Sequence, residues 1–133
     1  MSGFRVIVID DEKIVGQMIK AAMEPDGYAV ETFLNAEPAF ARLREEKFDV
    51  VITDLKMKGI DGMDVLRTIK TAYPEIKVVM ITAFASLDSA VEAMKSKVDG
   101  FFAKPVKIKD LKECVQKLLN PTDAAAACKG SQV

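Results

Sequence analysis

The residues of this sequence best suited to chemistry stand directly after short apolar runs, where buried strands would end. They are an acid pair, a single acid, a hydroxyl and a lysine, namely Asp10-Asp11, Asp54, Thr82 and Lys104. Open α/β sheets bind their ligands outside the carboxyl ends of the strands, so this placement predicts one shared site. Together these groups suit magnesium-assisted phosphoryl chemistry.

The three aspartates carry most of this prediction. If the first and third strands are neighbours, Asp10, Asp11 and Asp54 converge, and their like charges raise the pKa of one or more of them. A hard divalent cation removes that cost, and oxygen ligands completed by water suit Mg²⁺ and also Mn²⁺. The ion would hold a phosphoryl group in line with an oxygen of Asp54, because carboxylates are established nucleophiles that form aspartyl-phosphates. Each aspartate alone would more often cap a helix or a turn.

Thr82 and Lys104 add groups that can contact a phosphoryl group. The hydroxyl of Thr82 can donate a hydrogen bond to a phosphoryl oxygen, and Lys104 supplies a compact positive charge. Alone, Thr82 would be a β-branched strand end and Lys104 a surface lysine. Lys104 precedes Pro105, and an X-Pro bond is a candidate for the cis form, which would direct the lysine into the site.

Composition and charge exclude several other functions. The 133 residues fit one domain, and a net charge of −1 with a pI of about 5.5 does not indicate nucleic acid or a membrane surface as a partner. The apolar runs are strand-length and the first begins at once, so we expect neither a membrane span nor a signal peptide. With no histidine and two cysteines, the chain holds no Ser-His or Cys-His pair and no ordinary zinc site. Cys114 is expected to be a buried free thiol in a reducing, cytoplasmic compartment.

Strand and helix patterns alternate along the chain. β-Branched apolar runs predict five strands, and apolar residues three or four positions apart predict a helix after each. Five βα units predict an α/β fold with a parallel sheet, helices on both faces and right-handed crossovers. The predicted strands cover residues 4–9, 28–33, 48–53, 77–81 and 100–103, with residues 28–33 nearest an edge.

The helices carry signals at their ends and along one side. Asn35 is a candidate N-cap for residues 36–46. Either Ser86 or Ser89 can cap the fourth helix, and Ser89-x-x-Glu92 resembles a capping box. Residues 1–120 are predicted to form one domain and residues 121–133 a flexible tail or truncated linker. The apolar stripes are Ile14, Met18 and Ala22 beside Val15, Ile19 and Met23; Leu66, Ile69 and Tyr73; Leu87, Val91, Met94 and Val98; and Ile108, Leu111, Val115 and Leu118.

In order and spacing, the motifs resemble those of the receiver domain of two-component response regulators. Each motif is weak alone, but the set is highly specific, and the resemblance covers roughly residues 4–119. It implies a flavodoxin-like fold, a doubly wound (βα)₅ sheet in the order 2-1-3-4-5. The matching residues are Asp10-Asp11, Asp54 with Met57 and Asp61-Gly62, Thr82-Ala83 and Lys104-Pro105.

The resemblance implies a role for each acid. Asp54 is similar to the phosphoacceptor, Asp11 to a direct metal ligand and Asp10 to its partner, which often acts through water. The backbone carbonyl of Lys56 would be a further ligand. Lys58 departs from the family, since many receivers have proline there, and the loop after Asp54 should be less rigid for it.

The resemblance also implies a switch. Thr82 and Lys104 look like the residues that contact the phosphoryl group, and Phe101 aligns with the switch aromatic. On phosphorylation Thr82 would move toward the phosphoryl group and Phe101 would turn inward, remodelling the face of the fourth helix and fifth strand. Phe101 can also be read as plain core packing. Lys56 and Phe84 occupy positions that tune the dephosphorylation rate in the family.

By resemblance, the chain takes its phosphoryl group from a histidine kinase or a histidine phosphotransfer protein. It would act on an output domain or effector through the fourth helix, fifth strand and fifth helix, around residues 85–97 and 101–109. The resemblance also allows a phosphorylation-dependent dimer, with no direct contact to nucleic acid or membrane. Its only catalysis would be self-directed phosphotransfer and dephosphorylation.

Two other readings compete with this one. An aspartate-nucleophile phosphatase of the haloacid-dehalogenase type would carry a second acid two residues after Asp54, where this chain has Lys56. A phosphorylation-independent binding or dimerisation module would usually lack a key residue, and none is missing here. The phosphoacceptor interpretation is therefore the favoured one.

Overall fold

A computed structural model of the protein describes residues 3–57 and 59–120. Lys58 and the predicted tail, residues 121–133, lie outside the described residues. In the part that the structure describes, no helix is both long and apolar enough to cross a membrane. The strands are Arg5–Ile9 (β1), Ala29–Phe33 (β2), Val50–Asp54 (β3), Lys77–Thr82 (β4) and Gly100–Ala103 (β5). The helices are Lys13–Met23 (α1), Ala36–Glu45 (α2), Gly62–Ala72 (α3), Leu87–Lys95 (α4) and Ile108–Leu119 (α5).

All strand pairs in the sheet are parallel, and the strand order is β2-β1-β3-β4-β5. This confirms the predicted α/β fold class, and β2 lies at the edge as its alternating pattern indicated. Ile9 pairs with Thr53 across β1 and β3. The strand order reverses between these two strands, and such a switch point is where an open α/β sheet forms its ligand crevice.

The central strands are buried on both faces, as their continuous apolar runs predict. One face of the sheet packs under α2, α3 and α4, and the other under α1 and α5. β3 is buried along its whole length, including the polar residues Thr53 and Asp54. Polar groups in such a position need partners, because burying them unsatisfied is costly.

The N-terminus of α4 resolves one alternative that the sequence left open. Ser86 is the N-cap: its hydroxyl oxygen accepts a hydrogen bond from Ser89 N, and Ser89 Oγ accepts one from Ser86 N. The capping box is therefore Ser86-x-x-Ser89, and the box predicted from Ser89 to Glu92 is wrong. Asn35 does precede α2, but its side chain makes no capping bond.

Helix α4 does not bury the three residues of its predicted stripe that lie within it; the fourth, Val98, follows the helix and is fully buried. Its buried residues are Ala90 and Ala93, whereas Leu87, Val91 and Met94 are 73%, 41% and 42% exposed. Alanine lets a helix approach the sheet closely, so the small residues face inward and the large apolar ones face outward. The outer face of α4 is therefore an apolar surface.

Helix α1 also exposes large apolar residues, which belong to the first of its two predicted apolar rows. Ile19 and Met23 are fully buried, but Ile14 and Met18 are 59% and 47% exposed. Cys114 of α5 is buried, as predicted.

Candidate functional site

Four strand ends build the site. Asp10 follows β1, Asp54 ends β3, Thr82 ends β4 and Lys104 follows β5. Because these four strands are successive parallel neighbours, the residues lie along one carboxyl edge of the sheet. Lys104 N donates to the carbonyl oxygen of Thr82 at 2.8 Å, and the Lys104–Pro105 peptide is cis, as predicted.

The ammonium of Lys104 lies among three carboxylates. Its Nζ donates hydrogen bonds to Glu12 Oε1 at 2.8 Å and Asp54 Oδ2 at 3.1 Å, and it lies 2.9 Å from Asp10 Oδ2. Burial alone would lower the pKa of Lys104, but the bonds to Glu12, Asp10 and Asp54 together outweigh it and raise this pKa above its usual range. The lysine is therefore always charged and partly neutralises the acids.

Asp10 is the most deeply buried acid of the site, with a side chain that is 0% exposed. Its Oδ1 accepts a hydrogen bond from Glu12 N at 2.8 Å. Its Oδ2 is buried without a hydrogen-bond partner and forms an ion pair with the Lys104 ammonium. Burial raises the pKa of Asp10, and the charge of Asp54 adds to this, while Lys104 and Glu12 N lower it in part.

Asp54 is 5% exposed and sits where the strand passes into its loop. Oδ2 faces Lys104, and Oδ1 accepts a long hydrogen bond of 3.4 Å from Lys56 N. The Thr53 hydroxyl donates to the carbonyl oxygen of Asp54 at 3.0 Å. One carboxylate oxygen is thus paired with a cation while the other has only a weak partner.

The Asp61-Gly62 motif closes the loop after Asp54. The Asp61 carboxylate caps α3 by accepting hydrogen bonds from the backbone N–H groups of the two residues after Gly62. Gly62 N donates to Leu55 O at 2.7 Å, so the first turn of α3 packs directly on the loop backbone. A Cβ on Gly62 would lie 2.1 Å from the carbonyl oxygen of Asp54, so only glycine permits this approach.

The two predicted switch residues are both buried. Thr82 is fully buried, and its hydroxyl oxygen accepts a hydrogen bond from Phe84 N at 2.9 Å, which leaves its hydrogen able to donate. Phe101 is 4% exposed and belongs to the same buried cluster as Ala90 and Ala93 of α4. Phe101 is therefore part of the core in this structure, and its role as a switch stays a prediction.

The sequence predicted that Asp10, Asp11 and Asp54 would converge, but the structure has Glu12 in place of Asp11. Carboxylate oxygens of Asp10, Glu12 and Asp54 lie within 4.8 Å of one another, whereas Asp11 is exposed and outside that group. The metal-ligand roles of Asp11 and of the Lys56 carbonyl stay predictions. Sequence reasoning missed Glu12 because its long side chain, not a strand end, brings it to the site. The available signal was a third acid directly after the pair.

The residues present fit a hard divalent cation. When all three acids are ionised, Asp10, Glu12 and Asp54 with Lys104 leave two negative charges uncompensated. Asp10 Oδ2 is buried without a hydrogen bond, and a buried carboxylate oxygen of this kind gains from a cation. Oxygen ligands of this set suit Mg²⁺ or Mn²⁺ better than softer metals.

Comparison with known proteins agrees with this geometry. The family model of the response regulator receiver domain matches residues 6–116. The transcriptional regulatory protein ZraR of Salmonella typhimurium is 33% identical over 122 residues, which are 92% of this chain and 28% of ZraR. The response regulator protein PilR of Pseudomonas aeruginosa is 31% identical over 124 residues, 91% of this chain and 28% of PilR. This chain thus spans only 28% of the length of these two curated relatives.

A solved structure matches over nearly its whole length. The response regulator receiver domain protein of Clostridium thermocellum is 36% identical, with a TM-score of 0.83. The match covers 90% of this chain and 96% of that one. The described fold is therefore similar to that solved receiver domain over nearly all of its length.

Proposed function

This chain belongs to the response regulator receiver family, and on that basis we propose that Asp54 accepts a phosphoryl group from a phosphohistidine of a partner protein. The observation that carries the proposal is the buried carboxylate of Asp54, 3.1 Å from the Lys104 ammonium within a cluster of acids. None of these 133 residues is a histidine, so the phosphohistidine lies outside this sequence, and we propose a histidine kinase or a histidine phosphotransfer protein as its source. We place the exchange in the cytoplasm.

In the transfer, an oxygen of Asp54 forms a bond to phosphorus while the bond from phosphorus to the donor's imidazole nitrogen breaks. The electron pair of the broken bond stays on that nitrogen, and the imidazole leaves neutral when its other nitrogen carries a proton. The ammonium of Lys104 and the hydroxyl of Thr82 donate to phosphoryl oxygens, which positions the group and offsets its charge.

The acids would hold a divalent cation for this reaction. Asp10 and Asp54, with the predicted ligands Asp11 and the Lys56 carbonyl, would bind Mg²⁺, with Mn²⁺ as a substitute. Bound there, the ion supplies positive charge that stabilises the phosphoryl oxygens. Water later hydrolyses the aspartyl-phosphate, so the chain catalyses only its own modification and its reversal.

Phosphorylation of Asp54 would change the position of α4. Thr82 ends β4 just before the loop into α4, and Phe101 shares a buried cluster with the inward alanines of that helix. A shift of either residue therefore acts on a helix that anchors itself through small side chains. We propose that an output domain, an effector or a second copy contacts the face of α4, β5 and α5, whose apolar part includes Leu87, Val91 and Met94.

The phosphodonor would dock beside α1. Ile14 and Met18 are exposed on the first turns of this helix, which begins right after Glu12 at the site. A donor has to bring its histidine to Asp54, so an apolar surface next to the opening is well placed to hold it. Ile14→Ser with Met18→Ser should slow transfer from a donor protein but leave phosphorylation by acetyl phosphate unchanged.

Intact mass after incubation with acetyl phosphate tests the chemistry directly. Wild type should gain one phosphoryl group in the presence of Mg²⁺ and none in EDTA. Asp54→Asn, which is nearly isosteric, should gain none, and Asp64→Asn, an exposed aspartate of α3, should behave as wild type. An unmodified wild type shown to be folded would favour the phosphorylation-independent binding module instead.

A further inference from the structure

The ammonium of Lys104 is enclosed by three carboxylates in this structure: it donates hydrogen bonds to Glu12 and Asp54, and Asp10 Oδ2 faces it as an ion pair. An ammonium has three N–H donors, so at most one more hydrogen bond can be added. Its three neighbours are Glu12 at 2.8 Å, Asp10 at 2.9 Å and Asp54 at 3.1 Å. The inference below rests on the proposed function, in which Lys104 contacts the phosphoryl group. If it does, the phosphoryl group adds negative charge beside these carboxylates, and the one that Lys104 holds most weakly moves away first.

The three contacts differ in what their loss costs. The side chain of Asp10 is 0% exposed, and breaking its buried ion pair would leave a charge that nothing compensates. The contact to Asp54, which is 7% exposed, becomes a contact to the phosphorylated group itself. The side chain of Glu12 is 60% exposed, so water can solvate it as soon as it leaves Lys104. Glu12 is therefore the partner that Lys104 releases most easily.

We propose that Glu12 is a positioning residue that holds Lys104 in the unphosphorylated protein and is displaced by the phosphoryl group. Its backbone places it for this role, because Glu12 N donates to Asp10 Oδ1 at the start of α1. The side chain thus begins beside the acid cluster and reaches Lys104 from the solvent side. Glu12 opposes phosphorylation by the strength of one exposed ion pair without touching the transferred group.

Beryllofluoride, a non-covalent analogue of the phosphoryl group, measures this competition at equilibrium. ¹⁹F NMR in the presence of Mg²⁺ gives its dissociation constant for wild type, Glu12→Gln and Glu12→Asp. Glu12→Gln removes the charge, whereas Glu12→Asp keeps the charge but is one methylene too short to reach Lys104. Both variants should bind about two- to fivefold more tightly than wild type, which is the range expected from an exposed ion pair.

Glu75→Gln is the matched control. It makes the same change of charge at an exposed position before β4, at the opposite edge of the sheet, and should bind as wild type. Tighter binding by Glu12→Gln alone would mean that only the negative charge at the opening matters, and the proposal would fail. Weaker binding by both Glu12 variants would make Glu12 a metal ligand, and unchanged binding would make it a bystander; either result overturns the proposal.

A different result would contradict the proposed phosphoacceptor function. A wild-type protein that binds no beryllofluoride and takes no phosphoryl group on Asp54 would contradict the phosphoacceptor role itself. A wild type that does both, with Glu12 variants that bind no more tightly, would contradict only the role of Glu12.

Discussion

Gly62→Ala tests whether α3 holds the phosphoacceptor loop in place. The new Cβ would lie 2.1 Å from the carbonyl oxygen of Asp54 and 2.7 Å from the Cα of Leu55. Non-bonded heavy atoms settle at about 3.5 Å, so the loop has to move by roughly 1 Å or more. Both obstructing atoms belong to the backbone, and no rotation of a side chain can relieve the contact.

Destabilising and stabilising contributions together set the change in the free energy of unfolding caused by Gly62→Ala. Overpacking costs about 1–3 kcal/mol, and strain on the 2.7 Å hydrogen bond from Gly62 N to Leu55 O adds about 1 kcal/mol. Alanine is favoured over glycine inside a helix by about 1 kcal/mol, which offsets part of this. We expect the free energy of unfolding to fall by about 1–3 kcal/mol. The rate of phosphorylation should fall by about 10- to 100-fold, because misplacing a reacting group by about 1 Å can cost about 100-fold.

Urea unfolding measures the first quantity, and intact mass against time with acetyl phosphate and Mg²⁺ measures the second. Gly59→Ala is the control: its φ of 81° strains any other residue, but its Cβ would meet nothing within 4 Å. It should lose about 1–2 kcal/mol from backbone strain while keeping most of its phosphorylation rate. A Gly62→Ala protein that is phosphorylated as fast as wild type would refute the reasoning, as would a Gly59→Ala protein that slows equally.

Three further predictions test the packing and the charges. Asp10→Asn removes a carboxylate whose burial raises its pKa even beside Lys104, while Lys104 keeps Glu12 and Asp54 as partners. Urea unfolding in EDTA should therefore show a gain of about 0.5–2 kcal/mol. Mg²⁺ should no longer stabilise that variant, and a less stable variant in EDTA would contradict the argument. Gly100→Ala places a Cβ 2.9 Å from Cys114 Sγ and should cost about 1–3 kcal/mol. Cys114→Ala should recover part of that loss in the double variant; strictly additive losses would count against the contact. Hydrogen bonds from Arg42 lower the pKa of Glu31 from its ordinary 4.5. This pair therefore stabilises the fold above pH 4.5 and loses that effect as the pH falls through the lowered pKa. Arg42→Gln should lower the Tm at pH 7 and much less at pH 3, and equal losses at both would be inconsistent with an ion pair.

The sheet and the strand-end residues were predictable because both follow from the same local rule. A continuous apolar run predicts a strand buried on both faces, and the residue that ends the run must lie at the edge of the sheet. Asp54, Thr82 and Lys104 could therefore be placed without any knowledge of side-chain contacts. Once β1 and β3 were taken as neighbours, Asp10 followed as well.

Side-chain reach was not predictable in the same way. The sequence offers three consecutive acids at residues 10–12, and periodicity gives no reason to prefer the third. Asp11 points to solvent in the structure, while Glu12 has enough methylene groups to return to Lys104. Which of the three acids reaches Lys104 depends on the direction in which the chain leaves β1. It also depends on the position of Lys104, which lies 92 residues after Glu12 in the sequence.

The prediction of which face of α4 packs on the sheet was wrong for a related reason. Hydrophobicity ranks Leu87, Val91 and Met94 above alanine, so a stripe of large residues looks like the inward face. The helix instead buries Ala90 and Ala93, because close packing on the sheet rewards small side chains as much as apolar ones. When two sides of a helix are apolar, the sequence identifies the helix but not the side that it buries.

The position of Lys104 links the stability of the site to its function. Without a cation, the ammonium of Lys104 partly neutralises the buried carboxylates of Asp10 and Asp54. A divalent ion bound by the same oxygens would compete with this ammonium, and its affinity would be reduced by that competition. A phosphoryl group changes the balance, since it adds negative charge that the ion and the lysine can share. It follows that ion and phosphoryl group should each bind more tightly in the presence of the other, as reciprocal coupling requires.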